Sequence, residues 1–346
     1  MTKIFLFYVA ELFTDGWWAK IRQLKNSPLQ HLCKNLGSYV LASKEPSTIR
    51  KYIASFERFK RWTSQFPDMK HLPADPIHVA AYFSHLANAG VYSAIETAYY
   101  GISWAHKTAD LPDPTLHHML VQCKEGMKRL LARPQRKRIP APLKLIQDLA
   151  GWADNEGTLV ALRISAICCL AYGGFLRYSD FSRLHLRDIA IHENHMVVSI
   201  RKSKTDVYCT GQSVTIARSG NPSCPVSRLE KYLDAARFSS EQDAKRFIFR
   251  AICGSGKKAR ISPKNSPLSY SRANEIFKST AKKLGYDPQN LSLHSLRIGG
   301  ATEAARNGIN PGLLKKQGRW KSDSSKDLYV RFTEAEILKI SLGTGV

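Results

Sequence analysis

Residues 291–332, LSLHSLRIGGATEAARNGINPGLLKKQGRWKSDSSKDLYVRF, bring together four side chains that suit an anion. His294 and Arg297 are three residues apart, so in a helix they share one face. A planar guanidinium can bind two oxygens of one phosphate. Trp320 follows, and nine residues later Tyr329 offers a hydroxyl that can attack a phosphate once its proton is removed or shared. This stretch therefore indicates a site for phosphate chemistry.

Three motifs here, HSLR at 294–297, GRW at 318–320 and LY at 328–329, resemble those of the tyrosine recombinase (phage integrase) family. In that family a His-x-x-Arg pair precedes a His or Trp, and the nucleophilic tyrosine lies nine residues further on. Trp320 fills the His/Trp position. The sequence SLHSLRIGGATEAARNGI, followed by QGRWKS, is most similar to recombinases of eukaryotic mobile elements of the DIRS and Crypton kind.

Upstream, the segment GGFLRYSDFSRLHLRDIAI places Arg177 three residues before Asp180. The resemblance matches Arg177 to the family's first arginine and Asp180 to the acidic residue after it. We expect the Asp180 carboxylate to hold the Arg177 guanidinium in place as a supporting residue. The family keeps a catalytic lysine on a β-hairpin. In RKSKTDVYCTG the SKT tripeptide favours Lys204, with Lys202 as the alternative.

The resemblance thus implies a complete catalytic set: Arg177, Lys204, His294, Arg297, Trp320 and Tyr329. It implies that Tyr329 attacks a DNA phosphate, giving a 3′-phosphotyrosine and a free 5′-hydroxyl, with no metal, ATP or small-molecule cofactor. The implied partner is double-stranded DNA, bound by a homotetramer with a dimer at each site.

Composition supports a nucleic-acid partner. The 346-residue chain carries a formal charge of +24 with a pI of about 9.8, and a folded chain this basic usually meets a polyanion. Hydrophobic residues make up 43%, which excludes a disordered basic tail. The seven cysteines show no metal-binding spacing, which indicates a reducing compartment without structural zinc. The apolar run IFLFYVA near the start is too short to cross a membrane.

The fold class predicted is mainly α, with an N-terminal helical core-binding domain and an α+β recombinase catalytic domain that contains a small antiparallel sheet. Residues 1–39 show weak periodicity and receive no assignment. Residues 40–132 repeat apolar positions at helical spacing and predict a small helical domain that, by resemblance, clamps DNA. Residues 133–142, RPQRKRIPAP, predict a basic linker, and 143–346 the catalytic domain with a C-terminal tail.

Several cations outside the catalytic set are candidates for DNA contacts, because lysine and arginine beside a duplex bind its phosphates. They lie in the linker, the hairpin and a Gly/Pro-rich loop at 251–267: Arg133, Arg136, Lys137, Arg138, Lys202, Lys257 and Lys258. The GSGKK sequence in that loop fails as a phosphate-binding P-loop, since Lys258 stands where Ser or Thr would bind magnesium.

Two alternatives remain open at this stage. One is a domesticated DNA-binding protein that keeps the recombinase fold without strand transfer. The other is a type IB topoisomerase-like enzyme. The eukaryotic character of the resemblance predicts a nuclear location; otherwise the cytoplasm and its nucleoid are expected.

Overall fold

The computed structural model describes residues 10–134, 138–201, 211–239, 242–332 and 334–344, without the side chains of residues 27, 257, 334 and 340. The chain divides into two compact units at the boundary between residues 135 and 136. The observed class is mostly helical with a small antiparallel sheet, so the predicted fold class is confirmed.

The first unit is entirely helical in its described part. Its α-helices are α1 (Gly16–Arg22), α2 (Ser27–Cys33), α3 (Leu36–Ala42), α4 (Pro46–Thr63), α5 (Pro76–Ala87), α6 (Tyr92–Thr108) and α7 (His118–Leu130). Phe56 and Phe59 on α4 are fully buried with Phe83 and Ile102, so the aromatic side chains of α4 help to build the core.

The N-terminal segment, for which the sequence predicted nothing, belongs to this unit from residue 10 onward. Leu12, Trp18 and Leu41 are buried, and the Trp18 indole N–H donates to the Thr108 carbonyl at 2.6 Å. Helices α1 to α3 have seven residues each, too few for an apolar period to stand out in the sequence.

The second unit surrounds the buried helix α9. Its helices are α8 (Leu143–Glu156), α9 (Leu159–Gly173), α10 (Tyr178–Phe181), α11 (Pro225–Ala235), α12 (Tyr270–Lys283), α13 (Leu293–Arg306), α14 (Pro311–Gly318), α15 (Asp323–Asp327) and α16 (Glu334–Leu342). Helices α8, α11 and α13 pack around α9, which is apolar on nearly every face. That burial explains why α9 lacks a polar stripe.

Two small sheets complete this unit. Strands β1 (Ile189–Ile191), β2 (His195–Ile200) and β3 (Gln212–Ala217) are antiparallel in the order β1-β2-β3, and β4 (Ile252–Cys253) pairs with β5 (Arg260–Ile261). Met196, Val198 and Ile200 alternate into the core, as expected of a sheet buried on one face.

Residues 138–142 of the predicted linker are instead part of the second unit. Ala141 is buried, and its N–H donates to the Ser295 carbonyl on α13 at 2.9 Å. The Ile139 N–H donates to the Asn290 carbonyl at 3.4 Å. Proline and basic residues indicated a basic linker between domains, but Ala141 is small enough to fit against the glycine-containing face of α13, where its backbone N–H has a partner.

Helix α13 approaches its neighbours closely at two consecutive glycines. A Cβ built on Gly299 would lie 2.2 Å from the Ala141 carbonyl oxygen, and one on Gly300 would lie 2.1 Å from the Tyr172 carbonyl oxygen. Both obstacles are backbone atoms, so a side chain could be accepted only if whole segments moved apart.

The Gly300→Ala variant is accordingly expected to destabilise the second unit by about 1–3 kcal/mol, as overpacked cores do. Gly151 on α8 is the matched control, because a Cβ there meets nothing within 4 Å. Gly151→Ala should stabilise its helix by up to about 1 kcal/mol. Urea unfolding followed by circular dichroism measures both, and equal midpoints for the two variants would contradict the close approach.

Candidate active site

Helix α13 supplies His294 and Arg297 from its first turns. Its start is fixed by two side chains: Ser295 Oγ accepts the Ser292 N–H at 3.1 Å, and Asn274 Oδ1 accepts the Leu293 N–H at 3.1 Å. His294 and Arg297 are one turn apart on the same face, as the spacing predicted. His294 keeps solvent-exposed surface, whereas Arg297 is fully buried.

The Arg297 guanidinium packs against two aromatic rings that also contact each other. Its carbon is 4.7 Å from the centroid of the Trp320 ring and 4.8 Å from that of the Tyr329 ring. One terminal nitrogen donates to the Phe175 carbonyl, and the other to the Gly318 carbonyl at 2.5 Å. Ring faces attract a desolvated cation, so these two contacts hold the charge beside the tyrosine.

Tyr329 touches three of the predicted site residues. Its ring centroid lies 5.0 Å from that of Trp320 and 5.2 Å from that of His294. Trp320 is buried in a small cluster with Phe175, Ala301 and Leu314. The structure therefore brings His294, Arg297, Trp320 and Tyr329 together although they span 36 residues of sequence.

Tyr329 lies in the turn that follows a short helix. That helix, α15, is capped by Ser322 and ends at Asp327. The Thr302 hydroxyl donates to the Tyr329 carbonyl at 3.1 Å and accepts the Arg331 N–H at 3.1 Å. Helix α13 thus holds the tyrosine segment by its backbone.

Asp180 binds a different arginine from the one expected. Its Oδ2 accepts the Arg177 backbone N–H at 3.0 Å and forms a fully buried ion pair with Arg319 at 2.8 Å. Among the described residues it forms no ion pair with the Arg177 guanidinium. The physical reason is that the buried Arg319 guanidinium needs a countercharge, and Asp180 is the carboxylate within its reach.

Positive charge exceeds negative charge in this site. Burial and the nearby Arg177 and Arg319 lower the pKa of Arg297 to about 9. Burial, Arg297 and Arg177 lower the pKa of His294, so its imidazole is neutral at neutral pH. Among the described residues, Asp180 alone of the carboxylates lies against these arginines. The arrangement suits an anion.

Four buried N–H groups of the site have no hydrogen-bond partner among the described residues: Arg177 Nη1, Arg297 Nε, Arg319 Nε and Trp320 Nε1. Burying an N–H group without a partner costs free energy. An oxyanion entering the site would supply acceptors. The site thus has donors in reserve for a phosphate.

The structure describes only some of the other predicted residues. Lys204, Lys202, Arg136 and Lys137 lie outside the described residues, as does the Lys257 side chain. The strands flanking Lys202 and Lys204 are paired, Ile200 with Gln212. Arg133, Arg138 and Lys258 are exposed, and Arg138 Nη1 donates to the Gln289 carbonyl at 3.2 Å.

Sequence reasoning missed Arg319 and the Phe175 carbonyl as parts of the site. Arg319 was visible only as the middle residue of GRW, and its partner Asp180 lies 139 residues away. Phe175 has a φ of 48°, an unusual left-handed conformation for a bulky residue. Such backbone geometry leaves no signal in a single sequence.

In the described ranges there is neither a helix long and apolar enough to cross a membrane nor a group of three or more His, Cys, Asp or Glu that could hold a metal ion.

The chain is similar to several known recombinases. An integrase/recombinase xerD homolog from Selenomonas ruminantium is 26% identical over 293 residues, which cover 83% of this chain and 82% of that protein. A structure of XerH site-specific recombinase bound to a palindromic difH substrate has a TM-score of 0.59 at 12% identity, covering 100% of this chain and 96% of that one. The Tn1549 transposon integrase in complex with transposon right end DNA has a TM-score of 0.53 at 13% identity, covering 98% and 99%.

The model of the Phage integrase family matches residues 147–336, which include the six residues of the predicted catalytic set. That match extends over more than half of the chain. The protein therefore belongs to the phage integrase family of tyrosine recombinases.

Proposed function

We propose that this chain is a site-specific DNA recombinase whose nucleophile is Tyr329. Members of its family are DNA strand-transferring enzymes. The observation that carries the proposal is the placement of the Arg297 guanidinium 4.8 Å from the Tyr329 ring, with His294 on the same ring and unpartnered N–H donors beside it. A phosphate at this position would meet a hydroxyl and a preformed cationic site together.

The Tyr329 Oη attacks the phosphorus of one DNA strand and forms a new P–O bond, while the bond to the 5′ oxygen breaks. His294, neutral at neutral pH, accepts the tyrosine proton. Lys204, or Lys202 in its place, protonates the departing 5′ oxygen. The products are a 3′-phosphotyrosine and a free 5′-hydroxyl.

Arg177 and Arg297 hold the non-bridging phosphate oxygens and neutralise the charge of the pentavalent transition state. Their spare donors, Nη1 and Nε, support this role. Trp320 orients the phosphate through its unpartnered indole N–H and packs against the Tyr329 ring. The phosphotyrosine conserves the energy of the broken ester bond, so a second 5′-hydroxyl reverses the step. Neither a metal ion nor ATP is then required.

The partner is double-stranded DNA. The XerH and Tn1549 integrase structures contain DNA, which supports this partner for a chain with a charge of +24. We assign the helical unit, residues 40–132 with the packed N-terminal segment, to clamping DNA as a core-binding domain. The exposed cations Arg133, Arg138 and Lys258 are assigned to phosphate contacts.

We further propose that the enzyme works as a homotetramer, with a dimer on each site, in the integration and excision of a mobile element. The sequence of residues 292–322 resembles recombinases of the DIRS and Crypton kind, which supports a role in a mobile element and, if the source is eukaryotic, a nuclear location. Helix α16 leaves Ile337, Leu338 and Leu342 exposed, which suits contacts between subunits.

The test offers the protein a pool of duplexes with randomised centres, each carrying a nick that lets the cut fragment diffuse away. EDTA is present and ATP absent. We expect a DNA-linked protein band on a denaturing gel, and mass spectrometry should place the DNA on the peptide that contains Tyr329. DNA binding without any adduct would instead favour a DNA-binding protein that has lost strand transfer. Relaxation of supercoiled plasmid without strand exchange would favour a topoisomerase-like enzyme.

A further inference from the structure

Arg319 lies in the turn that ends α14, in a conformation that few arginines adopt. Its φ of 55° and ψ of 41° are left-handed, the geometry that glycine usually supplies at the end of a helix. The Arg319 N–H donates to the Lys316 carbonyl and the Trp320 N–H to the Lys315 carbonyl, so the turn is fully hydrogen-bonded by its backbone. Glycine would make the same turn without strain.

The Arg319 side chain is buried, and its guanidinium bonds several groups at once. Nη2 contacts Asp180 Oδ2 at 2.8 Å and the Phe175 carbonyl at 3.3 Å. Nη1 contacts the Gln317 carbonyl at 3.3 Å and the Gly174 carbonyl at 3.5 Å. The ion pair is solvent-excluded at both ends, with side-chain exposures of 3% and 0%.

These contacts join two turns of the site. The first turn, residues 174–180, carries Arg177, and the second, residues 317–320, carries Trp320 and leads to Tyr329. Arg297 joins the same two turns, since its nitrogens bond the Phe175 and Gly318 carbonyls. Two guanidinium groups therefore share the Phe175 carbonyl and fix one turn against the other.

We infer that Arg319 is a positioning residue for strand cleavage, which sets the Arg177 turn at a fixed distance from the Trp320–Tyr329 segment. The inference rests on the proposed function for its catalytic consequence, but the placement itself is a property of the fold. A buried ion pair is a poor source of stability compared with apolar packing. It does impose a specific geometry, because both partners must keep their bonds. Strand transfer needs such geometry, since a displacement of about 1 Å can slow a reaction about 10²-fold.

The experiment uses Arg319→Gly in the full chain, with Arg237→Gly as the matched control. Arg237 is also an arginine with a φ of 55° in the turn after a helix of the same unit, but it is exposed. We expect Arg319→Gly to cleave the nicked duplexes about 10²-fold more slowly. Non-covalent DNA affinity should stay nearly unchanged, because many exposed cations remain. Arg237→Gly should match the unchanged protein in both measurements.

Guanidinium chloride, at millimolar concentrations far below those that unfold proteins, should restore cleavage in Arg319→Gly by refilling the space opposite Asp180. A second readout needs no catalysis. In protein labelled with 5-fluorotryptophan, the fluorine resonance of Trp320, assigned with Trp320→Phe, should shift in Arg319→Gly and return when guanidinium is added.

Unchanged cleavage in folded Arg319→Gly would overturn the inference. A loss of cleavage would also overturn the inference if added guanidinium restored neither the cleavage nor the fluorine resonance of Trp320, because the side chain would then serve stability alone. If Arg319→Gly fails to fold, Arg319→Lys keeps a charge opposite Asp180 but cannot bond both turns. It should fold and cleave slowly, and normal cleavage by it would also overturn the inference. If the unchanged protein forms no adduct, the proposed function is wrong. The fluorine resonance then still tests whether Arg319 fixes the Arg177 turn against the Trp320–Tyr329 segment.

Discussion

The Tyr329→Phe variant is expected to form no covalent adduct with DNA while binding DNA as tightly as the unchanged protein. Phenylalanine keeps the ring that packs against Trp320 and His294 and lies over the Arg297 guanidinium. Only the hydroxyl is lost, and it is the atom that would become esterified. The nicked-duplex assay on a denaturing gel measures the adduct, and a gel shift under native conditions measures binding.

Tyr270→Phe is the control for this prediction. Tyr270 is an exposed tyrosine of the same unit, and its ring contacts Tyr178, so its replacement also removes one hydroxyl and keeps one ring contact. It should form adduct at the normal rate. An adduct that persists in Tyr329→Phe would remove Tyr329 from the mechanism, and mass spectrometry would then identify the residue that replaces it.

The Arg297→Met variant is expected to lose cleavage by about 10²–10³-fold, as enzymes do when they lose a group that stabilises transition-state charge. Methionine is unbranched and flexible, and it packs well against aromatic rings, so it suits the position beside Trp320 and Tyr329. The rate of adduct formation in a single turnover measures the loss.

Stability should change much less than activity in this variant. Burial and two neighbouring arginines lower the pKa of Arg297 and disfavour its charge, so removing that charge offsets the hydrogen bonds lost at Phe175 and Gly318. We expect the free energy of unfolding to stay within about 1 kcal/mol of the unchanged protein.

Arg306→Met controls for the loss of an arginine from the same helix. Arg306 lies at the end of α13, where it forms a partly exposed ion pair with Glu336, and such pairs contribute little. It should cleave DNA normally. Equal activity of the two variants would show that Arg297 has no role in the chemistry, and a collapse of the fold in Arg297→Met would show that Arg297 serves structure.

Much of the fold was predictable because burial imposes periodicity on sequence. Phe56 and Phe59 recur at helical spacing, and Met196 and Val198 alternate as in a strand with one buried face. Helices α1 to α3 were not predicted because each is short and is held by single buried side chains such as Trp18. A single buried residue does not produce a repeating apolar pattern in the sequence.

The site was predictable only where its residues are close in sequence or fall in a recognisable motif. His294 and Arg297 were predictable because one helix carries both. Tyr329 was predictable because its motif resembles that of a known family. The partner of Asp180 was not predictable, because two arginines were available to it and only the three-dimensional packing decides between them. Lys204 and Lys202 remain alternatives, since both lie outside the described residues.

The hydroxyl of Thr302 limits how far Tyr329 can move from its own site. It ties the backbone on both sides of Val330 to the helix that carries His294 and Arg297. If the proposed tetramer forms, passing Tyr329 from one protomer to the site of another would first require both hydrogen bonds to α13 to be broken. We therefore expect each protomer to cut with its own tyrosine, so that contacts between protomers control when a strand is cut and do not supply the nucleophile.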